Sequence, residues 1–400
     1  MDDLNDFIDG EGGSSQYQKF FKYIEDIAST VSVPDGECID DCVNSDDFDD
    51  EPESTSYDCA ESDFPCDDVS GFQGSLKNEI LNDTEKHLPD LYAENVIFTT
   101  SYIENYFYIR PCMEDFFIPE KVLLLGDKGT GKTAFYLALQ NEEFFSLLLA
   151  KSQKKHLHYK VFNVTNYEND RFEILGLDDE HLNNELFIKK FWIYYIWNAI
   201  CRRYDTSLGN SRFNVDLSKI NSMSEVVKLV DDDESFKLIE DELSRFNDSL
   251  RTSDERLIIT FDRLDNIVKP YLWNSIVSPL IKLCVKFSWS NICPKLFLRR
   301  DLYGRLGNLT NKNSFLPRVI DLEWSKNEIY SYFLKVIFTV SGEKFYQYLS
   351  DHLPASLVGE IRRKLNKRGV RNQLPLDTHL IMPVINTFFG VPKANRRGKV

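Results

Sequence analysis

The chain has 400 residues, of which 42% are hydrophobic and 28% charged, with 47 Lys and Arg against 64 Asp and Glu. This is globular usage, which excludes collagenous, coiled-coil and wholly disordered classes, and the length suffices for roughly two to three domains without disulfide staples. The apolar run at residues 191–200 is closed by Arg202 and Arg203 and falls short of the roughly 18 residues a membrane helix needs, so no membrane contact is expected. The opening Met1-Asp2-Asp3-Leu4-Asn5-Asp6 has no basic or apolar signal segment, which predicts a cytoplasmic protein.

The net charge of −17 is unevenly placed: residues 1–70 hold 16 Asp and 6 Glu against Lys19 and Lys22, a net of −20, and the other 330 residues sum to +3. The acidity belongs to one tail on a nearly neutral body. Phe20, Phe21, Tyr23, Ile24 and Ile27 recur at roughly helical spacing, which fits either a docking helix for a protein partner or a transient helix without one. Residues 34–70 have too few aliphatic side chains to offset the entropy of ordering, and residues 1–85 are assigned to an acidic, largely disordered N-terminal region. Cys38, Cys42, Cys59 and Cys66 lack paired CxxC spacing and a nearby His, so they read as thiols and not as zinc ligands. Cys112, Cys201, Cys284 and Cys293 lie in apolar surroundings and read as small hydrophobes.

From residue 86 the pattern is globular. Residues 121–125 predict a buried strand of a parallel sheet, followed by a helix over 133–149 that offers Phe135, Leu137, Phe144 and Leu148 for burial. A strand at 159–164 and an aromatic helix at 185–204 come next, then a polar, mostly helical stretch at 205–255 with an acidic cluster at 231–234. Three further strands are expected at 257–261, 295–298 and 318–322. Strands alternating with helices predict an α/β fold, a mainly parallel sheet flanked by helices, over residues 86–325. Residues 326–400 read as helical, with a basic run at Arg362, Arg363, Lys364, Lys367, Arg368 and Arg371. That run fits three roles: contact with nucleic-acid phosphate, contact with the acidic tail, or a solvated surface.

Gly126-Asp127-Lys128-Gly129-Thr130-Gly131-Lys132-Thr133 fits G-x-x-x-x-G-K-[ST] in full, between an expected strand and an expected helix. Glycines at 126, 129 and 131 let the backbone curl so that amide groups and the helix start face an anion. The pattern assigns Lys132 to the β- and γ-phosphates of ATP and the Thr133 hydroxyl to Mg²⁺. Residues 257–261 are followed by Asp262, a carboxylate at the strand edge where ligands bind in open α/β sheets, and Asp262 is the Walker B aspartate and second metal residue of this reading. Asp265 fits either a carboxylate that positions the attacking water or a cap on the next helix.

Asp262-Arg263-Leu264-Asp265-Asn266 resembles the hhhhD-G-L-D-E element of STAND NTPases and related KAP-type ATPases, with Arg263 and Asn266 as departures. These belong to the AAA+-like P-loop group, and many switch between ADP- and ATP-bound states. In many ATPases of the additional-strand class a glutamate follows the Walker B aspartate and orients water; Arg263 stands there in this chain, which implies slow hydrolysis. Residues 294–301 resemble the family's next strand, which implies that Arg299 or Arg300 senses the γ-phosphate through a bidentate guanidinium; the residues fit equally a charged strand end paired with Asp301. Val319-Ile320-Asp321-Leu322-Glu323-Trp324 resembles the following strand and the entry to a helical lid, and residues 382–390 resemble the end of an uncharacterised bacterial P-loop ATPase family. The resemblance covers roughly residues 90–390. It implies a P-loop NTPase core at 86–325, a C-terminal helical lid at 326–400, and a nucleotide-controlled ATPase switch binding ATP and ADP with Mg²⁺. The alternatives are a non-hydrolysing, nucleotide-gated scaffold that recruits a protein partner or self-associates, and an ATPase stimulated by nucleic acid.

Overall fold

The computed structural model describes residues 69–90, 92–152, 158–165, 177–204, 223–309, 312–365 and 371–390. The helix expected at 17–27, the four tail cysteines, Lys367, Arg368 and all but the last two residues of the segment expected to be disordered lie outside these. In chain order the elements are α1 (Val69–Lys86), α2 (Thr100–Asn105), β1 (Leu123–Gly126), α3 (Lys132–Ala138), α4 (Glu142–Lys151) and β2 (His158–Asn163). There follow α5 (Asp179–Asn183), α6 (Glu185–Tyr204), α7 (Met223–Asp231), α8 (Asp233–Thr252), β3 (Glu255–Phe261), α9 (Leu264–Ile267) and α10 (Trp273–Val285). The last are β4 (Ile292–Arg299), α11 (Arg300–Gly304), β5 (Val319–Asp321), α12 (Lys326–His352), α13 (Ala355–Leu365) and α14 (Thr378–Phe389).

All five strands run parallel in the order β2-β3-β4-β1-β5. Successive side chains leave a strand on opposite faces, and both faces of this sheet are covered. Leu123, Leu257, Ile259, Leu296 and Leu298 join one apolar layer with α6, α8 and α10, while Leu124, Ile258 and Phe297 join the other with Phe116, Phe135 and Phe144. Double-sided burial is why the strands read as continuous apolar runs in the sequence.

Two expectations are corrected. The helix over 133–149 is two helices: the first ends at Ala138, and Asn141 caps the second by accepting the Phe144 N–H at 3.0 Å, with Glu142 and Glu143 in the new first turn. The assignment of residues 1–85 to a largely disordered region fails over residues 69–85, which lie in α1. That helix carries Ile80 and Thr84 fully buried one turn apart, with the Thr84 hydroxyl donating to the Ile80 carbonyl at 2.7 Å.

Contacts divide the chain into two units that are not the contiguous segments expected at 86–325 and 326–400. The larger comprises Pro89–Thr339 and Ile361–Leu376, so it keeps the sheet together with the first half of α12. Of the described residues, the smaller takes those up to Leu88, Val340–Glu360 and those from Asp377 onward. Within it Phe388 packs edge-on against Phe345 at 5.0 Å and Tyr348 at 5.2 Å, and Lys344 pairs with Asp83 at 2.8 Å.

Among the described residues of the larger unit, two lysines are completely buried. Lys295 on β4 donates to the carbonyls of Ile118 and Lys121, both at 2.6 Å, and Lys335 on α12 donates to those of Glu104 and Arg371, both at 2.8 Å. Burial pushes each amine down from 10.5 to about 7. Between about pH 7 and pH 9 the unfolded chain therefore binds protons that the native chain does not, and stability rises with pH by at most about 1.4 kcal/mol per pH unit for each lysine. Urea unfolding of Lys295→Met at pH 7, 8 and 9 is expected to show a shallower rise than the parent; an identical slope contradicts this account.

Candidate phosphate-binding site

The loop that follows β1 is built on three glycines with two different requirements. At Gly126 a Cβ would stand 2.3 Å from Thr130 Oγ1 and 3.2 Å from Leu322 Cβ, so only hydrogen fits. Gly129 and Gly131 have φ of +86° and +84°, and nothing lies within 4 Å of where their Cβ atoms would be. Backbone conformation, not space, requires glycine there, since the left-handed region costs other residues about 1–2 kcal/mol. The Asp127 carbonyl accepts from the Thr130 amide at 3.3 Å, the Thr130 hydroxyl at 2.9 Å and Lys132 Nζ at 2.6 Å. Lys132 Nζ also donates to the Gly126 carbonyl at 2.7 Å. The chain is thus curled, with the lysine amine folded across the turn. The side chains of Asp127 and Lys128 are exposed, and Thr133 is half-buried in the first turn of α3.

Several other expected residues converge on the same sheet edge. Burial holds the Lys132 amine below the usual lysine range, against the upward pull of Asp262, Asp127 and Asp265, while Arg299 pushes the same way as burial. Asp262 follows β3 directly and is buried. Its backbone is clamped by Thr165, two residues beyond β2: the Asp262 N–H donates to Thr165 Oγ1 at 3.1 Å, and that hydroxyl donates to the Asp262 carbonyl at 3.2 Å. Tyr136 on α3 donates its hydroxyl to the Thr165 carbonyl at 2.8 Å, so loop helix, β2 and β3 share one buried network. Because β4 lies beside β1, Arg299 is the register partner of Gly126.

Asp265 lies in the first turn of α9 and does not cap it; the N-cap is Arg263, in the left-handed region with φ of +49° and ion-paired with Glu94. The Asp265 carboxylate instead meets Arg299 at 3.5 Å, and Arg299 also forks onto Asp301 at 3.1 and 2.9 Å. Arg300 is turned toward β5, where it pairs with Asp321 at 2.5 Å and Glu323 at 3.7 Å and approaches Asp127 at 4.0 Å. Of the two arginines, Arg299 is the one whose charge bears on Lys132. In the basic run, Arg362 and Arg363 are exposed on α13.

Sequence reasoning overlooked Tyr136, Thr165 and Arg110. Arg110 is 1% exposed and donates from Nη1 to the carbonyls of Leu322 at 2.9 Å and Thr130 at 3.4 Å, from Nη2 to that of Glu323, and from Nε to Glu328 at 3.3 Å. Its guanidinium carbon lies 4.4 Å from the centre of the Trp324 ring. One neighbouring signal was legible: Ser325-Lys326-Asn327-Glu328 is a capping box, and the Ser325 N–H donates to Glu328 at 2.8 Å while the Glu328 N–H donates to Ser325 Oγ at 3.3 Å.

Among the described residues no group of three or more His, Cys, Asp and Glu side chains is arranged to hold a metal ion, and no helix is long and apolar enough to cross a membrane. Gly131→Ala is expected to lower unfolding stability by about 1–2 kcal/mol, whereas Gly304→Ala, which has open space and no positive φ, is expected to be neutral or stabilising by up to about 1 kcal/mol. Denaturant titration of both variants checks the contrast. Comparison of the chain with protein-family models, with curated proteins and with solved structures returns no match.

Proposed function

We propose that this chain is a P-loop ATPase that binds ATP with Mg²⁺ and acts as a nucleotide-controlled switch. The observation that carries the reading is the curled glycine loop at the end of β1, with the Lys132 amine across it and Asp262 close enough to act on that amine. The sheet order supports it as well, since β4 is inserted between the loop strand and the Asp262 strand, which is what an additional-strand class denotes. Loop amides and Lys132 bind phosphate oxygens, Thr133 and Asp262 hold the metal, and Arg299 meets the γ-phosphate. The donor set fits Mg²⁺, which is usually held by one or two protein oxygens together with phosphate and water and does not need an all-protein cage. Bound Mg²⁺ supplies neutralisation of charge on the phosphate oxygens.

Specific contacts favour slow turnover. Arg263 occupies the place of a water-orienting glutamate, and Asp265, the remaining carboxylate for that task, is engaged by Arg299. The same contacts keep a second reading in view, a scaffold that retains ATP without hydrolysing it.

Lys132→Ala is expected to weaken ATP binding by about 10- to 150-fold, the effect of removing a charge-assisted hydrogen bond. Calorimetric titration with Mg²⁺ measures it, and equal affinity in parent and variant would falsify the reading. Phosphate release under saturating ATP separates the two forms: slow release that falls further in Asp265→Asn supports the ATPase, while retention of ATP without product supports the scaffold.

A further inference from the structure

The phosphate loop is held from behind as well as from within. Thr130 lies between the two positive-φ glycines, and its carbonyl accepts from Trp324 Nε1 at 3.2 Å and from Arg110 Nη1 at 3.4 Å. Among the described residues no peptide bond is cis, and in a trans peptide the carbonyl and the following N–H point in opposite directions. Two donors that hold the Thr130 carbonyl on the Arg110–Trp324 side therefore turn the Gly131 N–H away from that side. A glycine at φ of +84° gives this peptide little steric resistance to rotation, so external donors have most to do there.

The anchor is itself held on several sides. Arg110 and its charge partner Glu328 are both buried, and the guanidinium is spread over three backbone carbonyls, one carboxylate and the face of Trp324. A buried ion pair seldom adds net stability over apolar residues of similar volume. What this pair supplies is fixed geometry, because a planar fork reaches several acceptors at once where a lysine amine or an apolar side chain does not. Glu328 also accepts the Ser325 N–H in the capping box of α12, so one guanidinium spans the loop peptide and the first turn of that helix.

We propose that Arg110 and Trp324 are positioning residues that aim the Gly131 amide at bound phosphate and, through Glu328, tie that orientation to the start of α12. The proposal rests on the P-loop reading above. It adds residues outside the G-x-x-x-x-G-K-[ST] element, one of them ahead of β1 in the sequence.

The test uses the full chain labelled with ¹⁵N-glycine, in parent, Trp324→Phe and Arg110→Lys forms, with the Gly131 amide resonance identified by its loss in Gly131→Ala. Trp324→Phe keeps the ring against Arg110 and removes only the indole donor. It is expected to weaken binding of ATP with Mg²⁺ by about three- to tenfold, the effect of one hydrogen bond, and to reduce the ATP-induced shift of the Gly131 resonance. Arg110→Lys is expected to weaken binding further and to abolish the slowing of hydrogen exchange that ATP causes in residues 326–330 of the parent. If Arg110→Lys does not fold, Trp324→Phe alone decides. Folded variants that have a lower urea midpoint but the parent affinity and the parent Gly131 shift overturn the proposal, since a purely structural role gives that result. Lys132→Ala keeps the two ideas apart. A parent that binds no ATP defeats the P-loop reading, whereas a parent that binds, a Lys132→Ala variant that does not, and a Trp324→Phe variant equal to the parent defeat the positioning role alone.

Discussion

The Asp127 carbonyl accepts three donors from within its own loop, and the rest of the site depends on that knot. A backbone that curls this tightly loses the partners a strand or helix would give its polar groups, and they must be replaced locally. The Thr130 amide, the Thr130 hydroxyl and the Lys132 amine replace them, which explains why a hydroxyl and an amine stand two residues apart beside the glycines. The closeness of Thr130 Oγ1 is also what leaves Gly126 without room for a side chain. Geometry and composition of the loop are thus one constraint seen from two sides.

The parallel sheet delivers partners to this knot through strand order and not through sequence proximity. With β4 between β1 and β3, the last residue of β4 is level with the first glycine of the loop, and the carboxylate after β3 is one strand further on. Five carbonyl-end edges meet on one side because every strand points the same way. Asp262 stands 130 positions after Lys132 in the chain yet acts on its amine, and Thr165, just past β2, holds the Asp262 backbone from both its N–H and its C=O.

How much of this was legible in the sequence varied with the kind of force involved. The five described strands lie where apolar runs announced them, because double-sided burial leaves an unbroken signature; their ends moved by at most three residues, as hydrogen bonding and not hydropathy sets them. The glycine loop and Asp262 were legible because backbone curvature and a charged strand end restrict residue type. The break at Asn141 was present in the letters as an N-cap followed by two acids, but the apolar periodicity on either side concealed it. The helix at 69–86 was hidden by composition, since its few buried side chains are diluted among polar ones. Arg110 carried no signal at all. A buried arginine looks like any surface arginine until the carbonyls of residues 322 and 323 and the Trp324 ring are brought around it by the fold.

The arginines of the site differ in how readily they can change partners. Arg299 and Arg300 are each more than a third exposed, and their pairs with Asp265, Asp301, Asp321 and Glu323 form in water-screened surroundings. Pairs of that kind contribute only about 0–1 kcal/mol, so an incoming anion displaces them at little cost. Arg110 and Glu328 are shielded from solvent, and separating them would strand two buried charges, which costs about 3–5 kcal/mol. An anion placed at the loop would therefore find exposed guanidinium groups that can turn toward it and a buried one that holds its place. That division matches a site in which the outer cations respond to charge while the inner one keeps the loop peptide in register with α12.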